Sequence, residues 1–250
     1  MTEIDIRFYG DLEELLEPGA RKRETRVSFL GARSVKDVIE SCGVPHTEVA
    51  FIRVNGAFTD FSFRLKDEDR LEVYPLAYQG EFTGKEPLVV RRPDKVAFVC
   101  DVHLRKLARY LRLLGFDTAY HKEWDDPQLA IQSREEKRIL LTRDRKLLMR
   151  NMVWQGLLIR SQDSVEQAHQ VIHRFELEER IRPFSRCSRC NRPLRSIGKT
   201  DEDFISIEEN IPARVKDRHD DFNYCDRCGA VYWQGTHVQR LRGTFEKLLK

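Results

Sequence analysis

Four cysteines stand in two Cys-x-x-Cys pairs, Cys187-Ser-Arg-Cys190 and Cys225-Asp-Arg-Cys228. That spacing places each pair in a tight turn with both thiolates facing one ion, and two such turns complete a tetrahedron of sulfur suited to Zn2+. With four thiolates the coordination is closed, so a zinc here would be structural and leave no position for catalysis. Gly229 after the second pair permits the left-handed backbone of such a turn, and Asn191 after the first is the next best residue for it. Free thiols or a redox pair are the competing reading of the same residues.

A second set is acidic. Asp101 directly follows Val-Ala-Phe-Val-Cys, Asp144 follows Ile-Leu-Leu-Thr-Arg, and Asp126, beside Asp125, opens the helical stretch between them. Like charges ~4 Å apart repel by about 4 kcal/mol at an effective dielectric of about 20, so acids converging in one crevice require a cation. Carboxylate and water ligands suit Mg2+ or Mn2+ better than zinc. Such an ion activates water and stabilises the charge that develops on a phosphodiester under attack. Each of these acids also precedes a helical segment, so helix capping without chemistry accounts for them as well.

The elements that must carry these groups alternate. An apolar run over 95–100 reads as a strand, followed by a helix over 103–115 and a strand over 117–120. Next come a helix over 126–137, a strand over 138–142, a helix over 145–151, a strand over 156–160 and a helix over 164–178. Repeated βα units predict an α/β domain over 95–180 with a parallel sheet and helices on both faces. The functional crevice of such a sheet lies at the carboxyl ends of its strands, where Asp101 and Asp144 stand. In the helix after Asp101, Leu104, Leu107, Leu111 and Leu114 form a core stripe, while Arg105, Lys106, Arg109 and Arg112 share the other side. That basic side suits a phosphate backbone or is solvated surface. Arg143 could contact a phosphate or point outward, and His103 could shuttle a proton or be structural.

The first 80 residues carry a different pattern. Ile4, Ile6 and Phe8 alternate with polar residues, Val27 and Phe29 mark a second strand, and Ser34 opens a helix with Val35, Val38, Ile39 and Cys42 on one face. A strand over 49–54, the turn Asn55-Gly56 and a last strand over 71–74 complete the order ββαβ(β)β. With Val-Asn-Gly in its middle and Asp-Glu-Asp-Arg-Leu-Glu-Val-Tyr-Pro at its end, this stretch resembles the ubiquitin-like small sulfur carriers. It therefore implies a β-grasp domain over 1–80. The chain runs on past Tyr74-Pro75, so docking of a protein partner is expected of it rather than carrier chemistry. Residues 81–94, rich in Gly, Pro and charge, read as a linker, and 181–250 as a zinc ribbon with a C-terminal tail.

The balance of 44 basic against 41 acidic residues, net +3, selects no partner by itself, and 40% hydrophobic content excludes a disordered chain. No apolar run approaches the roughly 20 residues of a membrane helix, and residues 1–17 are too acidic for a signal peptide, so a cytoplasmic protein with reduced thiols is expected and no membrane partner.

Taken together, the run from Asp101-Val-His-Leu-Arg-Lys-Leu-Ala-Arg to Leu-Leu-Gly-Phe-Asp117, Asp125-Asp126, Arg138-Ile-Leu-Leu-Thr-Arg-Asp144 and the paired cysteines are similar to the Mut-seven-C family. The resemblance covers essentially the whole chain. It implies a PIN-like ribonuclease domain with a C-terminal zinc ribbon and a ubiquitin-like domain in front. It also implies hydrolysis of RNA with Asp101, Asp126 and Asp144 as catalytic acids holding Mg2+ or Mn2+. Asp125 and Asp163 would add to the ion's surroundings; Ser161 stands where PIN nucleases often carry a fourth acid, with Asp163 two residues on. Arg105, Arg109, Arg112 and Arg143 would face the RNA. Tyr232 and Trp233 could stack bases or pack into the core. The alternative is a non-catalytic RNA-binding or ribosome-associated module in which the acids cap helices.

Overall fold

Ile4, Ile6 and Phe8 are all buried, as the alternation predicts, in β1 (Thr2–Phe8) of a computed structural model that describes residues 1–89 and 93–233. β1 pairs antiparallel with β2 (Thr25–Phe29), setting Ile4 opposite Val27. Ser34 then starts α1 (Val35–Ser41) with a reciprocal capping box to Asp37, and Val35, Val38 and Ile39 turn inward. β3 (Phe51–Val54) and β4 (Ala57–Thr59) are joined by Asn55-Gly56, with φ of 50° and 82°, the geometry of the turn predicted there. β5 (Arg70–Tyr74) runs parallel to β1 and antiparallel to β3, which completes the order β2-β1-β5-β3-β4. This is a β-grasp sheet.

The segment following β5 folds back onto it. Phe82 meets Phe51 and Tyr74 edge to face, and the Leu88 N–H donates to the Ala50 carbonyl at 2.8 Å. Phe82 and Val89, inside the expected linker, therefore belong to an apolar cluster with Ala50, Phe51 and Tyr74. Two apolar anchors among glycines and charges decide this, where composition alone suggested a spacer.

The remaining α/β elements are β6 (Ala97–Cys100), α2 (Arg105–Leu113), β7 (Asp117–Ala119), α3 (Asp126–Glu135), β8 (Ile139–Thr142), α4 (Arg145–Leu148), β9 (Gly156–Leu158) and α5 (Ser164–Phe175). β6 and β7 pair in parallel, and so do β8 and β9, the pairing that alternating βα units dictate. α4 ends earlier than predicted because Arg150 N–H turns to Leu147 O and Val153 N–H to Arg150 O. α5 also stops early: Glu176 takes a left-handed conformation, and Leu177 N–H closes back on Ile172 O.

Between the cysteine pairs lie β10 (Arg195–Gly198), α6 (Ile205–Glu208), α7 (Ala213–Lys216) and β11 (Asp221–Tyr224), and β12 (Val231–Tyr232) follows the second pair, the strands antiparallel in the order β10-β11-β12. The long spacer between the cysteine pairs holds a helical insertion over 202–216. Phe204, Ile207 and Ile211 pack with Ile197 and Phe222 in a small separate core, because their three- and four-residue spacing suits helical turns. The tail from residue 234, including His237, lies outside the described residues.

By compactness the chain falls into two units that do not follow the sequence boundaries. One comprises Met1–Pro93 with Asp126–Leu158, the other Asp94–Asp125 with the chain from Ile159 onward. Among the described residues no helix is long and apolar enough to cross a membrane.

Candidate metal centre and carboxylate positions

The four cysteine sulfurs, on Cys187, Cys190, Cys225 and Cys228, lie within 4.8 Å of one another. Cys187 Sγ is 3.5 Å from Cys228 Sγ, and Cys190 Sγ is 3.3 Å from Cys225 Sγ. Both separations are far beyond a disulfide bond and lie a few tenths of an ångström below the ~3.8 Å edge of a tetrahedron built on Zn–S bonds of ~2.3 Å. Asn191 and Gly229 adopt φ of 69° and 68°, so both turns take the left-handed step read from the sequence. In each turn an N–H reaches back to the first cysteine's carbonyl, Asn191 to Cys187 and Gly229 to Cys225, both at 2.9 Å.

The electrostatics favour a cation. Burial opposes ionising the Cys187 thiol, but the Tyr232 hydroxyl and the N–H groups of Cys190 and Arg189 outweigh it and bring the thiol down to about 6. Desolvation and the neighbouring thiols push Cys228 up to about 12, as expected when several thiolates crowd together without a compensating charge. Tyr232 OH sits 3.3 Å from Cys187 Sγ and accepts the Ser188 N–H at 3.1 Å, so its hydroxyl is tied to the first cysteine turn.

Arg112 corrects an expectation. It was placed with Arg105 and Arg109 on an RNA-facing side, yet it is only 7% exposed. Its guanidinium donates to Thr118 O at 2.9 Å, Arg189 O at 2.9 Å and Ser188 O at 3.4 Å, so α2 grips the first cysteine turn from behind. Asn191 adds a second tie, donating to Asp117 Oδ1 at 2.8 Å and accepting the Thr118 N–H at 3.0 Å. A sequence signal did exist: Leu111, Leu113 and Leu114 flank position 112 on several sides, and all are buried, so the last turn of α2 is covered nearly all round. Arg105, Arg109, Arg143 and His103 are exposed.

The acids occupy the junctions predicted. Asp101, 5% exposed at the end of β6, accepts the His103 N–H on Oδ1 at 2.6 Å. Asp144 accepts the Lys146 N–H on Oδ1 at 2.8 Å, and its own N–H donates to Thr142 Oγ1 at 3.0 Å. Asp163 caps α5 through the N–H groups of Val165 and Glu166, at 2.8 and 3.0 Å. Asp126 is the first residue of α3, its Oδ2 3.6 Å from Arg150 Nη2. Asp125, just before it, is exposed. At Asp144 capping and metal ligation are compatible, since Oδ1 alone takes the backbone N–H and Oδ2 has no partner among the described residues.

Residues 96–245 match the Mut7-C RNAse domain and residues 1–80 the Mut7-C ubiquitin domain. No curated protein matches the chain. Among solved structures, a Pyrococcus furiosus protein assigned as subunit 1 of a molybdopterin converting factor is similar at 20% identity, over 30% of this chain and 98% of that one, with a TM-score of 0.24. The small archaeal modifier protein 1 of H. volcanii is similar at 18% identity, over 30% of this chain and 98% of that one, with a TM-score of 0.25. With more than half of its length matched, behind the matching ubiquitin domain, the chain belongs to the Mut7-C RNAse domain family.

Proposed function

We propose that this protein is a divalent-metal-dependent ribonuclease. The observation that carries the reading is the match of residues 96–245 to an RNAse domain, with aspartates at the ends of β6 and β8 where an α/β sheet presents its chemistry. Asp101, Asp126 and Asp144 hold Mg2+ or Mn2+, and Asp125 and Asp163 add negative charge to the surroundings. The bound ion supplies an activated water and charge stabilisation at the scissile phosphate. The exposed Arg105, Arg109 and Arg143 bind the RNA backbone, and Lys106 joins them on α2. Cys187, Cys190, Cys225 and Cys228 hold a structural zinc, which fits a cytoplasmic, reducing setting.

The test is cleavage of end-labelled single-stranded RNA by the full chain with Mn2+ or Mg2+, beside EDTA and an Asp101→Asn/Asp144→Asn variant. Asparagine keeps a capping oxygen, so the fold survives while the charge is removed. Metal-dependent cutting that falls at least ~100-fold in the variant is expected; equal cutting in both proteins removes the site assignment.

A second reading draws on the caps themselves. Asp101, Asp144 and Asp163 each accept backbone N–H groups at the start of an element, which is sufficient reason for an aspartate. The protein would then be a non-catalytic RNA-binding or ribosome-associated module. Salt-dependent RNA binding without cleavage under any of the metal conditions is its expected signature.

A further inference from the structure

Residues 1–93 fall in the same compact unit as 126–158, and three polar contacts join the β-grasp module to the stretch running from α4 to β9. Arg145, the first residue of α4, donates Nη1 to the Leu15 carbonyl at 2.6 Å. Leu15 ends the short 3-10 turn Gly10–Leu15, whose last carbonyls have no partners within the turn, so the guanidinium satisfies an acceptor at its negative end. Lys36, on α1, meets Asn151 Oδ1 at 2.6 Å, just beyond α4, and also lies 4.0 Å from Glu40. Glu48 accepts the Leu158 N–H at the end of β9 at 2.8 Å. A side chain of the β-grasp module thus satisfies that N–H of β9, and the charge on Glu48 strengthens the bond.

These contacts fall at the beginning, middle and end of one segment. Asp144 immediately precedes it, with its carboxylate fixed by the Lys146 N–H inside it. α4 is a single turn, too short to hold its own geometry, so the placement of Asp144 depends on what α4 rests against. We infer that the ubiquitin-like module is a clamp built into the ribonuclease, with Arg145, Lys36 and Glu48 as positioning residues that keep Asp144 in place. The link to catalysis rests on the function proposed above; the clamp itself does not. A carrier or a freely swinging docking module would have no need of three ties to one segment beside an acid.

The test uses the full chain and two readouts. Hydrogen exchange is measured on wild type and on Lys36→Met/Glu48→Ala, whose substitutions lie wholly in the β-grasp module. Exchange at Lys146 and Leu158 is expected to accelerate on the order of tenfold, with β1 and β5 amides still protected as evidence that the module stays folded. Unchanged exchange at Lys146 overturns the clamp. Kinetics with Arg145→Ala and Arg145→Lys then address positioning. The alanine variant should lose about tenfold in kcat at unchanged KM, with lysine, which keeps a donor for Leu15, restoring much of it. Unchanged kcat in the alanine variant overturns the positioning role. Wild type that cuts no RNA overturns that role together with the ribonuclease reading, while Lys146 exchange still decides the clamp.

Discussion

A side chain's type does not fix its role when two surfaces compete for it, and Arg112 is the case in point. A helical projection sets it beside Arg105 and Arg109, but the first cysteine turn lies against the end of α2, and three backbone carbonyls surround the guanidinium. Burial holds its pKa below the usual guanidinium range, while the nearby cysteine sulfurs and Asp117 work in the opposite sense. Removing the side chain leaves those carbonyls buried without a donor, so Arg112→Leu should cost about 3 kcal/mol in chemical denaturation. An arginine bound to RNA phosphate behaves differently: its loss would leave the unfolding midpoint alone and lower the salt slope of RNA binding by about one. Arg109→Leu, on the exposed side of the same helix, is expected to follow that second pattern.

At the scale of elements, α2 was legible in the sequence up to its last turn. The leucine stripe and the stop at Gly115 both hold: Leu104, Leu107, Leu111 and Leu114 are each at most 1% exposed, and Gly115 has a φ of 98°. What covers that end came from residues some seventy positions away. Arg182 N–H donates to Leu114 O and Phe184 N–H to Leu113 O, both at 2.9 Å, so the approach to the ribbon caps the helix. A β-carbon at position 115 would lie 2.4 Å from the Arg182 carbonyl oxygen and 2.7 Å from Ser185 Oγ. Gly115→Ala should therefore cost about 3 kcal/mol, through the left-handed backbone and the clash together, whereas Gly229→Ala, with φ 68° and nothing within 4 Å, should cost about 1. Equal losses in thermal unfolding would mean that the 182–185 segment yields. The same distinction separates what the sequence revealed from what it hid. Patterns local to a few turns, such as the β-grasp strands, the Asn55-Gly56 turn and the cysteine turns, could be read directly. Contacts between distant segments, such as Arg112 with the ribbon or Arg145 with Leu15, leave no period in the sequence. The four cysteines could be assigned because one ion explains all of them, but the acids could not, since a cap and a ligand ask for the same aspartate at the same junction.

Across the whole molecule, stability should be divided unevenly. The β-grasp module holds five strands on a core that includes Ile4, Ile6, Ile39, Ile52 and Leu71, and none of the four clustered cysteines falls in it. Among the described residues the ribbon has strands of four, four and two residues and five buried apolar side chains around Phe222, a small core for a domain without cross-links. With the proposed zinc on the four cysteines, its folding energy would come largely from the metal. Chelation should then remove exchange protection from β10–β12, and also from Thr118, whose N–H is held by Asn191 beside Cys190, while β1 and β5 keep theirs. Acid should act in the same direction. The folded Cys187 thiol is lowered from an ordinary 9.0 to about 6, so its contribution is complete above the higher value and is lost as pH falls through the lower one. Protons compete with the metal for the sulfurs, as a chelator competes with the sulfurs for the metal, so protection of the ribbon without chelator should decline as pH drops from 8 to 5. Simultaneous loss of protection in the β-grasp strands would mean that the metal supports the entire chain, and the modular division of stability would have to be abandoned.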